Sequence, residues 1–279
     1  MRDLRGRAVW LTGASGGIGA ALARTLARRG RPLALFSRDE QRLEGLREEI
    51  LASLRSLPAG AAGVEPPAIL IQRGDVTDRT RVLQAVAEAD EALGGIGVAI
   101  LNAGIGESLD IDRFSSDLVR SVIEVNFFGA VHGIEGVLPR FLERGRGTVV
   151  GISSMAGFRG LPQSAPYCAS KAALSTFLES LRVDLAPRGI GVITVSPGFV
   201  KTPLTDRNRF PMPFLLSPER AAEIIVRGIE KGRRTIDFPW QFALPMKLLR
   251  LAPPRLYDAL IRRFLARRKG PFKAPGARR

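Results

Sequence analysis

Six short apolar runs, at 8–11, 33–36, 69–72, 98–101, 148–152 and 191–195, recur along the chain, each closed by turn residues and followed by a stretch of helical period. This alternation constrains the fold more than any other feature. The runs are apolar almost throughout rather than at every second position, as strands of a parallel sheet covered on both faces must be. Helices are expected at 19–29, 40–54, 79–93, 116–144 with a break near Asn126, 164–185 and 218–231. The expected class is therefore α/β, a doubly wound parallel sheet of the Rossmann type. The Gly-, Ala- and Pro-rich stretch 58–67 reads as a surface loop before the third strand. No internal repeat with a solenoid or propeller period is visible.

A chain of 279 residues suits one well-buried domain. Residues 1–238 are expected to form it, with a substrate loop at 198–216, and 239–279 to form a basic amphipathic C-terminal extension. The single cysteine, Cys168, excludes an internal disulfide framework. Residues 1–7 run into the first apolar run without a signal-peptide core, so the expected setting is cytoplasmic. No apolar run approaches the ~18–20 residues of a membrane-spanning helix. The formal charge of +15 is unevenly spread: residues 231–279 carry 14 Lys/Arg against Asp237 and Asp258, a net of +12, which leaves +3 for residues 1–230. A basic domain that reads nucleic acid carries its charge on a recognisable module, and none is present, so nucleic acid is not an expected partner.

The first apolar run passes directly into Thr12-Gly13-Ala14-Ser15-Gly16-Gly17-Ile18-Gly19 and then into a helix. Glycines here let backbone approach a diphosphate held at a helix N-terminus. Thr12, Gly13, Ser15, Gly17, Ile18 and Gly19 are accordingly the expected cofactor contacts. At the end of the second strand, where an acidic side chain grips a cofactor lacking a 2′-phosphate, the sequence reads Phe36-Ser37-Arg38. The missing acid removes a repulsion, and the Arg38 guanidinium can pair with a phosphate in a bidentate manner, so Ser37 and Arg38 favour NADP(H) over NAD(H).

With these motifs in order, the chain resembles the short-chain dehydrogenases/reductases over about residues 6–236. Thr12, Gly13, Gly17 and Gly19 match the family's Thr-Gly-x-x-x-Gly-x-Gly, Asp75-Val76 looks like its adenine-contacting pair, and Asn102-Ala103-Gly104 resembles the motif that stabilises the sheet after strand four. Leu101 departs from the pattern, standing where many members have a further asparagine. Asn126, Ser154, Tyr167 and Lys171 fall on the family's catalytic tetrad. Pro197-Gly198, with Val200 and Thr202 following, resembles the loop that closes over the nicotinamide. The resemblance implies a carbonyl/alcohol oxidoreductase, commonly dimeric or tetrameric through the helices bearing Asn126 and Tyr167, with Lys171 reaching the nicotinamide ribose.

The chemistry also follows from the residues. Hydride transfer to a carbonyl leaves an alkoxide that needs a proton, and the reverse reaction needs a base. A tyrosine does both if a cation favours its phenolate, and Tyr167 and Lys171 lie four residues apart on one helical face. Ser154, at the carboxyl end of the fifth strand, can donate to the substrate oxygen; Ser153 is the neighbouring alternative, pointing to the opposite face. Asn126 is expected to interrupt its helix and to hold a water in a proton relay to Lys171. His132 reads as structural, and no cluster has metal-ligand spacing.

After Asp237 the rhythm changes. Trp240–Leu265 interleaves aromatic and aliphatic residues with Lys247, Arg250, Arg255, Arg262 and Arg263, the composition of a helix lying in a membrane interface, with Pro245, Pro253 and Pro254 dividing it into short pieces. The competing readings are an apolar flap over the site or a subunit contact. Together with Phe199, Phe210, Met212, Phe214 and Leu215, the extension is expected to line the mouth with carbon and to select a hydrophobic, lipid- or steroid-like substrate. The alternative to an enzyme is a dinucleotide-binding sensor or scaffold on the same fold.

Overall fold

The structure, a computed structural model, describes residues 7–56, 66–207 and 211–266, with helix side chains described as far as Arg263. Most of the expected loop 58–67, and Phe210, lie outside the described residues. Seven strands form one sheet: β1 (Ala8–Thr12), β2 (Leu33–Ser37), β3 (Ile69–Arg73), β4 (Ile96–Leu101), β5 (Gly147–Ile152), β6 (Ile190–Pro197) and β7 (Thr235–Phe238). All pairings are parallel and the order is β3-β2-β1-β4-β5-β6-β7. The α/β class expected from the apolar runs is the one observed.

Alternate side chains of strands β1 to β6 enter two separate cores. Val9 and Leu11 of β1 face one, where α1 (Gly17–Ala27), α2 (Glu40–Arg55) and α7 (Pro218–Glu230) contribute Leu22, Leu26, Leu43, Ile225 and Val226. Trp10 faces the other, where α3 (Arg79–Ala92), α5 (Gly129–Glu143) and α6 (Ala165–Leu185) contribute Val82, Val86, Phe141, Leu174 and Leu178. Burying each such side chain stabilises the layers by about 1.5–3 kcal/mol. Leu101 belongs to this second core: a Cβ on Gly133 would lie 2.6 Å from it, so the missing side chain lets α5 settle on the strand.

The chain turns from β1 to β2 and β3 on one side of the sheet, then returns to β4 on the other. This reversal opens a crevice beyond the carboxyl ends of β1 and β4.

Three differences from expectation have physical reasons. Strand β7 was not predicted, because only Ile236 and Phe238 of its four residues are buried and so short an edge strand carries too little pattern. The 116–144 segment is broken more finely than expected, into α4 (Ser116–Ile123), a π-helical turn at Glu124–Phe128 and α5. In the extension, α8 (Trp240–Leu251) runs through Pro245, and only the Ala252–Pro253 step separates it from α9 (Pro254–Ala266). Pro245 and Gln241 are both exposed, so the carbonyl that loses its amide partner meets water instead.

Candidate active site

The crevice holds a cavity of about 500 Å³. Its floor is the turn between β1 and α1. Gly13 and Gly17 adopt positive φ (65° and 54°), a conformation that penalises any side chain. A Cβ on Gly19 would lie 2.1 Å from the Gly13 carbonyl, so the turn can wind this tightly only with glycine there. Gly16, the residue preceding helix α1, offers no side-chain cap, which leaves the first amides of the helix directed at the crevice.

Asn102 and Thr12 tie this turn to β4. The Asn102 Nδ2 donates to the carbonyls of Thr12 and Gly13, both at 3.1 Å, while the Thr12 hydroxyl accepts from the amides of Asn102 (3.0 Å) and Ala103 (3.1 Å). Asn102, Ala103 and Gly104 line the cavity, yet the Asn102 amide nitrogen is occupied by the turn.

At the end of β2 the Ser37 hydroxyl donates to that of Ser15 (2.8 Å). Arg38 is 71% exposed and its Nη1 lies 3.6 Å from Asp75 Oδ2, while Asp75 Oδ1 accepts from the amide and hydroxyl of Thr77. Val76 packs beside Gly129, where a Cβ would come within 2.7 Å, and its carbonyl meets His132 Nδ1 at 2.9 Å, which gives the histidine a structural partner. Arg42, on the first turn of α2, reaches the same cavity and was missed in the sequence. Its four-residue spacing from Arg38 was the available signal.

The far end of the cavity gathers residues from four elements. Lys171 is 3% exposed and donates to the Ile152 carbonyl at 2.9 Å. Burial pulls its ammonium down from 10.5 to about 8. Tyr167 stands beside it, with the Lys171 nitrogen 5.8 Å from the ring centroid. Burial pushes the Tyr167 phenol up from its ordinary value, and a side-chain hydrogen bond with Ser154 works in the opposite direction. The neighbouring serine is otherwise engaged: the Ser153 hydroxyl donates to the Lys171 carbonyl at 2.9 Å and lies 2.7 Å from the Ser175 hydroxyl. Ser154, the serine expected from the sequence, is the one that meets Tyr167.

Asn126 sits in the π-helical turn with 1% exposure. Its Oδ1 accepts from the Ile105 amide (2.7 Å), and its Nδ2 donates to the Ile105 carbonyl and the Ser170 hydroxyl, both at 2.9 Å. Both amide hydrogens are thus spent on protein, and a relay water could use only the second lone pair of Oδ1. Gly104 leaves room there: a Cβ on it would lie 3.1 Å from Asn126 Oδ1 and 3.3 Å from Lys171 Nζ.

The roof is the segment after β6. Pro197, Gly198, Val200 and Thr202 line the cavity, and the Thr202 methyl would lie 3.0 Å from a Cβ on Gly17. Thr205 braces this segment, with its hydroxyl donating to the Val200 carbonyl at 2.7 Å and accepting from the Thr202 amide at 2.9 Å. The expectation that Phe199, Phe214 and Leu215 line the mouth is corrected. Neither these residues nor Met212 nor the described part of the extension lines the cavity: Phe199 packs instead on Phe242 of α8 (centroids 5.3 Å apart), and Phe214 and Leu215 face solvent. The loop's contributions to the wall are Pro203, Leu204, Thr205 and Arg207, joined by Ile105 and Val125. These were not legible in the sequence, because an irregular loop has no period from which facing can be read. Among the described residues no group of three or more His, Cys, Asp or Glu could hold a metal ion.

A family model described as short chain dehydrogenase matches residues 7–211. The chain is a short-chain dehydrogenase. Family relatives include an uncharacterized oxidoreductase of Myxococcus xanthus, 42% identical over 94% of this chain and 99% of the relative. Another, from Mycobacterium tuberculosis, is 34% identical over 89% of this chain and 94% of its own length. Among solved structures, a short-chain dehydrogenase/reductase from Burkholderia phymatum in complex with NAD superimposes with a TM-score of 0.76, at 25% identity over 94% of this chain and 97% of that one. A short-chain dehydrogenase from Sphingobium yanoikuyae in complex with NADPH gives 0.72, at 26% identity over 96% and 98%. This short-chain dehydrogenase is accordingly an oxidoreductase acting between CH–OH and C=O. The sensor or scaffold alternative is set aside.

Proposed function

We propose that this short-chain dehydrogenase interconverts a carbonyl and an alcohol on a hydrophobic, lipid- or steroid-like substrate, with NADP(H) as cofactor and Tyr167 as acid and base. The observation that carries the reading is one cavity with an uncapped glycine turn and Arg38 at one end and Ser154, Tyr167 and Lys171 at the other. The turn suits a diphosphate, because bare amides and absent side chains leave room for its oxygens. A bound nicotinamide dinucleotide supplies the hydride acceptor or donor.

The remaining work belongs to the chain. Ser154 holds the substrate oxygen by a hydrogen bond, and the Tyr167 hydroxyl gives that oxygen a proton or takes one from it. Burial alone would keep the phenol protonated. The Lys171 charge opposes this, since a cation in a low-dielectric site favours the phenolate. With its own value near 8, Lys171 remains mostly charged at neutral pH. Asn126 holds the backbone at Ile105 and, through Ser170, the helix bearing Tyr167. Arg38, with Arg42 beside it, supports NADP(H): their partners, Asp75 at 3.6 Å and Asp39 at 3.1 Å, form exposed pairs that a 2′-phosphate can displace. Ile105, Val125, Pro203 and Leu204 supply carbon for an apolar substrate. We further propose a cytoplasmic homo-dimer or homo-tetramer, organised as a sheet domain 1–238 and an extension 239–279 open to peripheral contact with an anionic membrane.

Tyr167→Phe tests the mechanism. It should lower NADPH-dependent reduction of a panel of carbonyl compounds by roughly 10²–10⁴-fold, while the dissociation constant for NADPH stays within about threefold, a difference of less than 1 kcal/mol. Undiminished turnover would refute the assignment.

A further inference from the structure

The two C-terminal helices carry apolar surface that the other described residues leave uncovered. Along α8, Trp240, Leu244, Leu248 and Leu251 recur at the spacing of one helical face. All four are exposed, Trp240 at 70% and Leu251 at 79%. The opposite face is spent on the sheet domain, with Met246 and Ala243 buried and the ring of Phe242 packed on Phe199, while at the edge of the ridge Lys247 pairs with Asp237 at 2.5 Å. In α9, Leu256 and Leu260 are exposed four residues apart, and Arg263 falls on the same face three residues further on. Arg250, Arg255 and Arg262 are exposed as well, and between Trp240 and Arg263 the only acid is Asp258. Residues 267–279 add six cations and no acid.

The helices are fixed in place. The Arg159 guanidinium lies 4.5 Å from the centre of the Tyr257 ring and donates to the Arg250 carbonyl at 3.1 Å, and the Tyr257 hydroxyl donates to the Gly160 carbonyl. Residues 159–160 lie on the segment joining Ser154 to Tyr167, and Phe199 follows the cavity-lining Gly198. The exposed ridge is thus anchored on two segments that lead out of the site.

We propose that α8 and α9 seat the protein on an anionic lipid bilayer, with the Trp240–Leu251 ridge and Leu256/Leu260 entering the interface and the arginines meeting the headgroups. This deepens the partner reading above and rests on it, but requires no catalytic assignment. Charge decides the occupant. An isologous contact with a second copy would bring Arg255, Arg262 and Arg263 toward their own images, an arrangement that like charges oppose. Anionic headgroups neutralise the same cations, and tryptophan beside leucine is the composition favoured where water meets acyl chain.

The test is pelleting of the full chain with vesicles of phosphatidylcholine alone and of phosphatidylcholine with about one third phosphatidylglycerol. Binding is expected to the anionic vesicles, weakening as salt is raised. Leu244→Glu/Leu248→Glu, and separately Arg255→Glu/Arg263→Glu, should each lower the bound fraction by roughly tenfold or more with an unchanged melting temperature. Wild-type protein left in the supernatant, or either double variant pelleting like wild type, would overturn the proposal. So would light scattering in which Leu244→Glu/Leu248→Glu splits a dimer while no vesicle binding is seen, since a second copy would then cover the ridge. Tyr167→Phe should pellet like wild type, so a failed catalytic assignment and a failed docking assignment give different results.

Discussion

Lys171 is asked to keep a charge where little water reaches it. Its value near 8 lies below the 10.5 of an exposed lysine. Between these two pH values the unfolded chain holds a proton that the folded chain has released. Stability therefore rises with pH across that window, whereas below about 8 the full cost of burying the charge is present. Lys171→Met lacks this cost. Near pH 7 it should gain up to about 3 kcal/mol, the free energy equivalent to this depression, less about 1–2 kcal/mol for the Ile152 carbonyl left without its donor. That advantage should shrink steadily in denaturant titrations between pH 8 and 9.5; a constant difference would contradict the burial argument. Tyr167, pushed up by burial, contributes with the opposite sign only above its ordinary value of 10. Arg38 gives a second prediction at this scale. On the proposed phosphate role, Arg38→Ala should raise the KM for NADPH about tenfold or more and leave that for NADH within about twofold, because a charge-assisted pair contributes roughly 1.5–3 kcal/mol. Equal losses for both cofactors would remove the role.

Among elements, the joint between β1, the glycine turn and β4 carries the most consequence. Asn102→Ala leaves the Thr12 and Gly13 carbonyls without their donor. The expected cost is about 1–2 kcal/mol in thermal unfolding, with a weaker dissociation constant for NADPH measured on the folded variant. An unaltered constant would mean that the turn holds its shape without this side chain. This joint also shows what a sequence discloses. Thr12 to Gly19 and Asn102 were legible because a tight turn after a strand admits few residue types. Ser154, Tyr167 and Lys171 were legible because strand end and helix face fix their direction. Spacing and strand direction favour Ser154 over Ser153; what the sequence could not disclose is that the Ser153 hydroxyl is spent on Ser175, a partner more than 20 residues away. Strand β7 and the facing of Phe199 were hidden for a related reason. Each is decided by tertiary packing against α7 or α8 rather than by any local period.

At the scale of the whole molecule, the extension is a clamp as well as a surface. Phe242 stacks on Phe199, while the Gly198 amide donates to the Phe238 carbonyl at 2.8 Å, so α8 and β7 together hold the start of the roof. Phe242→Ala should cost about 1–3 kcal/mol, less than a fully buried phenylalanine because its ring is half-buried. It should also speed hydrogen exchange in residues 198–206 and raise the KM for cofactor. Exchange that changed only in α8 would show the roof to be self-supporting. The roof loop has one further property. The chain enters at Phe199 and leaves at Leu216, and there its two ends are laced together: the Leu216 amide donates to the Phe199 carbonyl at 3.0 Å, the Lys201 amide to the Leu216 carbonyl at 2.9 Å, and Val200 bridges Leu216. The described residues between them hang from a closed neck. Exchange of residues beyond Thr205, which braces the roof, should therefore reshape what the crevice admits while strand β6, helix α7 and the cavity-lining Thr202 keep their places.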